Sequence, residues 1–313
     1  IDNRLTGSFD IYKRTTNDIL LNLEAPAILG IIPAIQNAGS VENTGWEISL
    51  NWKDKIKDDF TYSIGLNLSD VKNEITDLKG YQSPSNDLTV RIEEYPIDAI
   101  YGWKTLGICK TKEQYEQYKD LMLAYNPQWG IGDLIIDDID KNGKITSEDK
   151  TIIGNPIPRY TYGVNLRMQY RNFDLYCLFQ GVGKRDGFIG RDVIEPLGIF
   201  TAYIEHYTDS FDPLSPNPNM NAYYPRILGA EARHNYDNFS HWVQDASYLR
   251  LKNFQLGYTL PLSKQGVKKL RLYFSGQNLF TITKYRIYDP ENGLATNSYP
   301  NVSVYSLGAN LIF

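Results

Sequence analysis

"YTYGVNLRMQYRNFDLYCLFQ" occupies residues 160–180 and sets the pattern of the whole chain. Apolar and polar residues alternate through its first half: Tyr160, Tyr162, Val164, Leu166, Met168 and Tyr170 are separated by Thr161, Gly163, Asn165, Arg167 and Gln169. A period of two is typical of a β-strand with one apolar and one polar face. The alternation resumes over 172–180, after the short polar turn "YRN" (170–172), so the stretch predicts two neighbouring strands.

The same alternation recurs along the chain and predicts about eight strands. They cover residues 5–13, 44–54, 60–69, 160–170, 172–180, 247–260, 269–282 and 302–313. Short polar turns join some neighbours (53–59, 170–172 and 262–269), whereas long aromatic-rich segments separate others (22–40, 79–159, 187–246 and 284–301). Short connections then lie on one side and long ones on the other, as in a transmembrane β-barrel. The alternative, a soluble β-sandwich with one wet face, has no reason to keep that asymmetry.

The two faces of the predicted strands also favour the barrel. The polar face is rich in Gly, Ser, Thr, Asn and Gln, which suits a wide lumen filled by water or a polar plug. The apolar face carries aromatics near strand ends, where an interfacial girdle would lie: Trp46, Trp52, Tyr160, Tyr170 and Tyr258. The final "VYSLGANLIF" ends in Phe313, which resembles the assembly signal of bacterial outer-membrane barrels. The chain begins in a strand as well, so we expect a fragment of a longer polypeptide.

The composition narrows the function. The net charge is -5 and no Lys/Arg-rich run occurs, so nucleic-acid binding has little support. No apolar run is long enough for a transmembrane helix. The histidines form no metalloprotease pattern, and no glycine-rich phosphate loop follows a strand. The sequence therefore predicts a protein that is not an enzyme.

A calcium-like loop, "DIDKNGKITSED" (138–149), interrupts this β pattern. Oxygen ligands fall at its first, third, fifth, seventh and twelfth positions: Asp138, Asp140, Asn142, the carbonyl of Lys144, and Asp149. Gly143 at the sixth position permits the sharp turn. We predict one structural Ca²⁺, although Asp149 is shorter than the usual bidentate glutamate. The alternative is an Asp/Asn/Gly-rich turn without an ion.

Several stretches resemble the C-terminal half of SusC-like, TonB-dependent outer-membrane transporters, and they follow the family's order over nearly the whole chain. They are "SFDIYKRTTNDILL" (8–21), "NAGSVENTGWEISLNW" (37–52), "YPIDAIYGWKTLGI" (95–108), "GDLIIDDIDKNGKITSEDKTIIGNPIPRYTYGVNL" (132–166), "WVQDASYLRLKNFQLGYTLP" (242–261) and "LRLYFSGQNLFTITKYRIYDPE" (270–291). The resemblance implies an all-β fold: the C-terminal part of a transmembrane antiparallel β-barrel of about 22 strands. The plug domain and TonB box are expected outside residues 1–313.

The resemblance also implies a function and partners. Such transporters import oligosaccharides or peptides, driven by TonB, with a SusD-like surface lipoprotein over the mouth. We expect a dimer of such pairs, in contact with outer-membrane lipid. Counting back from a periplasmic C-terminus places 79–159, 187–246 and 284–301 outside the cell. Two alternatives remain open: a siderophore- or cobalamin-type TonB-dependent receptor, and a soluble calcium-containing carbohydrate-binding β-domain.

The predicted extracellular segments supply candidate substrate contacts. Aromatic rings suit sugar faces, and the candidates are Tyr101, Trp103, Trp129, Tyr223, Tyr224 and Trp242. The alternative is that these rings form the small cores that large loops need. One helix is predicted over 111–125, where Thr111 and Gln114 form a capping box. It either packs on its own loop or offers a platform for the lipoprotein.

Overall fold

A computed structural model describes residues 4–21, 36–80, 83–84, 87–195, 208–229, 234–264, 267–294, 299 and 301–313. Most of the predicted segment 22–40 and residues 196–207 and 230–233 of the segment 187–246 lie outside the described residues.

The described chain is predominantly β-strand. The strands are β1 (Leu5–Leu21), β2 (Gln36–Ile56), β3 (Phe60–Asp77), β4 (Ser83–Pro84), β5 (Thr89–Arg91), β6 (Ala99–Trp103), β7 (Thr105–Ile108), β8 (Leu134–Ile136), β9 (Lys150–Gly154), β10 (Arg159–Tyr170), β11 (Phe173–Lys184), β12 (Asp186–Phe188), β13 (Val243–Asp245), β14 (Tyr248–Lys264), β15 (Val267–Gln277), β16 (Thr281–Thr283) and β17 (Val304–Ile312). The helices are α1 (Lys112–Tyr125) and the short α2 (Arg191–Ile194), with 3-10 turns at Ser147–Asp149, Ser240–Trp242 and Pro290–Asn292.

Eight long strands form one antiparallel sheet in the order β1-β2-β3-β10-β11-β14-β15-β17. The prediction of about eight strands is confirmed. Several strands are longer than their pattern indicated, since β2 runs for 21 residues and continues beyond the apolar alternation. Each short turn of the sequence connects strands that are neighbours in the sheet.

The register of the sheet collects apolar side chains on one face. One row runs across five strands: Leu50, Leu66, Val164, Phe179 and Leu251 pair in succession. This face stays exposed in the described structure, since Ile11 keeps 73% and Leu307 keeps 86% of its accessible surface. A soluble sandwich would bury such a face beneath a second sheet, whereas a transmembrane wall turns it toward lipid.

The opposite face of the sheet is polar. Its rows include Ser63, Arg167, Tyr176, Gln255 and Ser275, which pair in succession from β3 to β15. A cavity of about 450 Å³ opens on this face near the short turns. The side chains suit the polar lumen that the sequence predicted.

The long connections fold into a second layer of structure, which we call the loop cap: the described residues within 87–158 and 185–246. Short antiparallel pairings organise it, among them β5-β6-β9, β7-β8 and β12-β13. Its core is apolar and is shared by both segments: Ile100, Met122, Leu134, Ile135, Ile189, Phe239 and Trp242 are all fully buried. The core of the described chain therefore lies mainly in its loops and not behind its sheet.

Helix α1 confirms the predicted helix at 111–125. The Thr111 hydroxyl accepts a hydrogen bond from the Gln114 backbone N–H, and the Gln114 side-chain oxygen accepts one from the Thr111 backbone N–H. Met122 is buried, and the Tyr115 ring stacks on Trp129 at 5.6 Å between centroids. The helix thus packs on its own loop. Among the described residues, no helix has the length and apolarity needed to cross a bilayer.

The predicted strand 269–282 is wrong at its C-terminal end, where the observed strand is shorter. Strand β15 stops at Gln277, Asn278 takes a left-handed conformation with φ of 50°, and β16 then pairs with β14. Asparagine tolerates this conformation better than most residues. Leu279 folds back onto Gly276, where an added Cβ would approach the Leu279 side chain to 2.5 Å. Ile282 therefore belongs to a different strand, β16, and Phe280 lies in the connection before it.

Candidate functional site

The calcium-like loop lies between β8 and β9, at the surface of the loop cap. Carboxylate oxygens of Asp138, Asp140 and Asp149 come within 4.8 Å of one another. Gly143 has φ of 78°, which a glycine adopts without strain. Ile145 points inward and belongs to the apolar core. The backbone therefore gathers three of the predicted ligand side chains, which are up to eleven positions apart in sequence.

The donor set of this loop fits a hard cation. Three carboxylates held this close repel one another unless a positive charge lies between them, and Ca²⁺ prefers carboxylate and carbonyl oxygens. Backbone N–H groups hold all three carboxylates in place: Gly143 donates to Asp138 Oδ2 at 2.9 Å, Asn142 to Asp140 Oδ1 at 3.0 Å, and Thr146 to Asp149 Oδ2 at 2.8 Å. Asn142 is oriented differently, because its Nδ2 donates to Asp140 Oδ2 at 2.7 Å.

Three of the six candidate substrate aromatics lie inside the loop-cap core. Trp129, Tyr224 and Trp242 are buried, and the two indole N–H groups donate to backbone carbonyls of Leu134 and Asn235, both at 2.9 Å. Their rings pack within the cap and stabilise it. This placement fits the alternative of a small aromatic core.

The other three candidates are half-buried. Lys150 Nζ lies 4.0 Å from the centroid of the Trp103 ring, and Arg286 covers Tyr223 at 4.5 Å. The Tyr223 hydroxyl donates to the His241 carbonyl at 2.9 Å, which holds it within the fold. Tyr101 differs from both because its side chain lines a cavity.

That cavity, which we call the inter-loop cavity, has a volume of about 820 Å³ and lies where the two long segments meet. The first segment contributes Asp87, Thr89, Val90, Tyr101 and Lys150; the second contributes Phe188, Arg191, Tyr236, Asp237 and Asn238. At this junction the Trp103 N–H donates a hydrogen bond to the Asn238 carbonyl at 2.9 Å. The backbone of Asn238 passes close to Gly102, and the absence of a side chain at Gly102 makes this approach possible. A Cβ on Gly102 would lie 1.9 Å from that carbonyl oxygen.

A buried polar cluster joins the same two segments below the surface. Asp133 accepts hydrogen bonds from Arg226 Nε at 2.6 Å, His234 Nε2 at 2.9 Å and Asn235 Nδ2 at 2.9 Å. Burial raises the pKa of the Asp133 carboxyl, but the hydrogen bonds from His234 and Arg226 outweigh burial and hold this pKa below its usual value. Sequence analysis missed this cluster, because no local motif links residues about a hundred positions apart.

A second histidine, His241, packs against aromatic rings of the loop cap. Burial lowers the pKa of His241 to about 4, although its hydrogen bond to the Tyr223 carbonyl opposes the shift. The imidazole is therefore neutral at neutral pH. It stacks on the Tyr223 ring at 4.8 Å between centroids, which is a packing role.

No family model matches the chain. The chain is 35% identical over 340 residues to TonB-dependent receptor P3 of Formosa agariphila, covering 100% of the chain and 33% of the relative. It is 28% identical to TonB-dependent receptor SusC of Bacteroides thetaiotaomicron, covering 100% of the chain and 30% of that protein. A solved structure described as the RagAB peptide transporter superimposes with a TM-score of 0.76 at 26% identity, covering 99% of this chain and 34% of that one.

The chain belongs to the SusC-like TonB-dependent receptors.

The SusC-like chain spans about a third of the length of the curated relatives it matches. Its antiparallel sheet with an exposed apolar face corresponds to the barrel wall of its structural neighbours, which confirms the predicted fold class. The alternative of a soluble carbohydrate-binding β-domain is wrong, since the neighbours are outer-membrane transporter barrels. The relatives are receptors and transporters, not enzymes.

Proposed function

We propose that the protein containing this chain imports an oligosaccharide or a peptide across the bacterial outer membrane, with energy supplied through TonB. One observation carries the proposal: the eight-strand sheet leaves its apolar face exposed while the loops build their own core. A wall of this kind needs lipid outside and a polar lumen inside. The relatedness to SusC and to the RagAB peptide transporter supports import as the activity.

The chain supplies two parts of such an importer. Its sheet forms part of the barrel wall, and its loop cap faces the cell exterior. A SusD-like lipoprotein closes over this cap, and two such pairs associate as a dimer. The plug and the TonB box belong to other parts of the polypeptide.

Purification of the tagged full-length receptor from outer membranes tests the partner. We expect a surface lipoprotein to co-purify in a one-to-one ratio after mild detergent extraction. A receptor that purifies alone, and binds an iron chelate or a corrinoid, would instead belong to the siderophore or cobalamin type.

Uptake of labelled oligosaccharides and peptides by cells tests the activity itself. We expect uptake of one class of compound, and we expect its loss when the TonB box of the full-length receptor is deleted. Uptake that persists without the TonB box would overturn TonB-driven import.

We also propose that the loop 138–149 binds one structural Ca²⁺. The proximity of the Asp138, Asp140 and Asp149 carboxylates supports it. The Lys144 carbonyl and a rotated Asn142 amide would complete the ligand set. The ion would stabilise the surface of the loop cap, and no catalytic group accompanies it.

A further inference from the structure

The calcium-like loop 138–149 and the second long segment of the loop cap meet at the Trp103 side chain. Hydrogen bonds and ring contacts lead from the carboxylates of the loop to residues 236–242 in three steps. We infer that Ca²⁺ bound in 138–149 strengthens the docking of 236–242 on β6, so that the ion regulates how the two segments of the cap are joined. This inference rests on the calcium site of the proposed function and gives that site a regulatory role.

The first step runs from Asp149 to Thr146. The Asp149 carboxylate accepts hydrogen bonds from the Ile139 N–H at 2.9 Å and from the Thr146 N–H at 2.8 Å, so it ties the two ends of the loop together. Asp149 is fully buried, whereas Asp138 is half-buried and Asp140 is exposed. Without a cation the three carboxylates repel one another. A bound Ca²⁺ removes that repulsion and keeps Asp149 against Thr146.

The second step runs from Thr146 to the indole ring of Trp103. The Trp103 Nε1–H donates to the Thr146 carbonyl at 3.0 Å. Lys150, which follows Asp149 directly, places its Nζ 4.0 Å from the centroid of the same ring. Residues on both sides of Asp149 therefore hold the indole, and a displacement of this carboxylate disturbs both contacts.

The third step runs from Trp103 to the second segment. Its backbone N–H donates to the Asn238 carbonyl at 2.9 Å, and its ring packs on Phe239 with 5.8 Å between centroids. Two residues further along, the Thr105 N–H donates to Ser240 Oγ at 2.9 Å. Phe239 is fully buried, so these contacts close the apolar core of the loop cap.

Coupling of this kind is a free energy shared by two sites, and it acts in both directions. If Ca²⁺ strengthens the docking of 236–242 by some factor, docking strengthens Ca²⁺ binding by the same factor. Factors of about 5 to 150 are typical of such coupling. The inference therefore predicts one effect of the ion on the second segment and one effect of the junction on the ion.

Hydrogen exchange of the full-length receptor in detergent at neutral pH measures the first effect, with Ca²⁺ supplied in excess or removed with EGTA. We expect Ca²⁺ to raise the protection factors of the Trp103 amide and of amides in 236–242 by about fivefold or more. Amides of the wall strand β10 are the internal reference and should stay within about twofold. Because this comparison needs no variant, it decides the inference even where a substitution prevents folding.

Trp103→Phe tests the route. The variant keeps an aromatic ring and the backbone N–H but loses the Nε1–H that donates to Thr146. One Ca²⁺ per receptor should still bind by elemental analysis, while the calcium response of 236–242 falls below about twofold. Trp129→Phe is the matched control, since it loses an indole N–H that donates to the Leu134 carbonyl at 2.9 Å elsewhere in the cap. It should keep the full response.

Gly102→Ala tests the reverse effect, because its Cβ would lie 1.9 Å from the Asn238 carbonyl oxygen and would prevent docking. Titration calorimetry with Ca²⁺ should show an affinity weaker by about fivefold or more, although Gly102 is not a ligand. Gly130→Ala, with 3.7 Å to the nearest heavy atom, is the control and should stay within about twofold.

Three results would each overturn the inference: Ca²⁺ that binds without raising protection in 236–242, an undiminished calcium response in Trp103→Phe, or equal Ca²⁺ affinity in the two glycine variants. Each of these leaves the calcium site itself standing. A wild-type receptor that binds no Ca²⁺ overturns the site and the coupling together. Failure of import is distinct from both, since it is measured as loss of TonB-dependent uptake.

Discussion

Gly102 shows how one missing side chain organises the loop cap. The Asn238 carbonyl occupies the space that a Cβ would need, with 1.9 Å between them, and this atom belongs to backbone that cannot rotate away. We predict that Gly102→Ala separates the two loops and exposes the cap to limited proteolysis. The matched control is Gly130→Ala in the same segment, where the nearest heavy atom lies 3.7 Å away. Equal protease resistance of the two variants would show that the crossing is not rigid.

The proposed calcium loop gives a second prediction at this scale. Replacing two ligands, Asp138→Ala with Asp140→Ala, should remove one bound Ca²⁺ per receptor and increase cleavage within 138–149. Calcium content by elemental analysis and digestion with and without chelator measure both effects. Glu148→Ala is the control, because Glu148 occupies the eleventh position and is exposed. Unchanged calcium content in the double variant would contradict the proposal.

His241 predicts a pH effect on the cap. Its folded pKa of about 4 lies below the ordinary value of 6.5, so the unfolded state binds more protons between those pH values. The stability that this group contributes is present above pH 6.5 and is lost as pH falls toward 4, by at most about 1.4 kcal/mol per pH unit. The protection factors of amides in 236–246, which divide out the pH dependence of intrinsic exchange, should therefore fall between pH 7 and pH 5.

His241→Phe is the diagnostic variant for this pH effect. It removes the titrating group while keeping an aromatic ring beside Tyr223. Protection factors in this variant should be lower than in the wild type at pH 7 and should respond less to pH. Equal protection factors at both pH values in the wild-type cap would contradict the prediction.

At the scale of elements, the apolar face of β15 predicts which substitutions disturb assembly. Leu272 and Phe274 pair with Ala309 and Leu307 on the exposed apolar face, whereas Ser275 pairs with Gln255 and Ser306 on the polar face. Leu272→Arg and Phe274→Arg should each cost about 2–4 kcal/mol near the bilayer midplane. Ser275→Arg should be tolerated better. The amount of folded receptor in outer membranes measures the difference, and equal losses in all three variants would indicate a strand buried on both faces.

Some elements could be predicted because their determinants are local. Period-two alternation identified the eight long strands, and the pairing of Thr111 with Gln114 identified the start of α1. The end of β15 and the turn at Asn278 could not be predicted, because they depend on Leu279 packing against Gly276. The calcium-like loop was visible as a spacing of oxygen ligands. The inter-loop cavity was not, since its walls come from two separate segments that no local motif links, residues within 87–150 and within 188–238.

The aromatic residues illustrate the same limit at the candidate site. Nothing in the local sequence distinguishes Trp129 or Trp242, which are buried, from Tyr101, which lines the cavity. Burial of each ring is decided by which distant segment packs against it. Sequence reasoning could therefore place aromatics in the loops but could not separate core from ligand-binding surface.

At the scale of the molecule, the sheet ends in two strands whose outer edges have no pairing within the described residues. Strand β1 pairs with β2, and β17 pairs with β15. In lipid, each unsatisfied backbone group at such an edge costs several kcal/mol. We predict that residues 1–313 expressed alone aggregate or are degraded. Recovery of a detergent-stable, heat-modifiable barrel from this segment alone would contradict the prediction and would count against a wall of about 22 strands.

The shared core of the loop cap constrains how receptors of this kind can be re-engineered. Asp133 from one loop is buried against Arg226 and His234 from the other, so neither loop retains satisfied buried charges without its partner. A graft over 79–159 that lacks a carboxylate at position 133 leaves Arg226 and His234 without their buried acceptor. Transplanting both loops together moves the core, the cavity and the charge pair as one module. In this receptor, single-loop grafts that lose the pair should fail at folding before they alter selectivity.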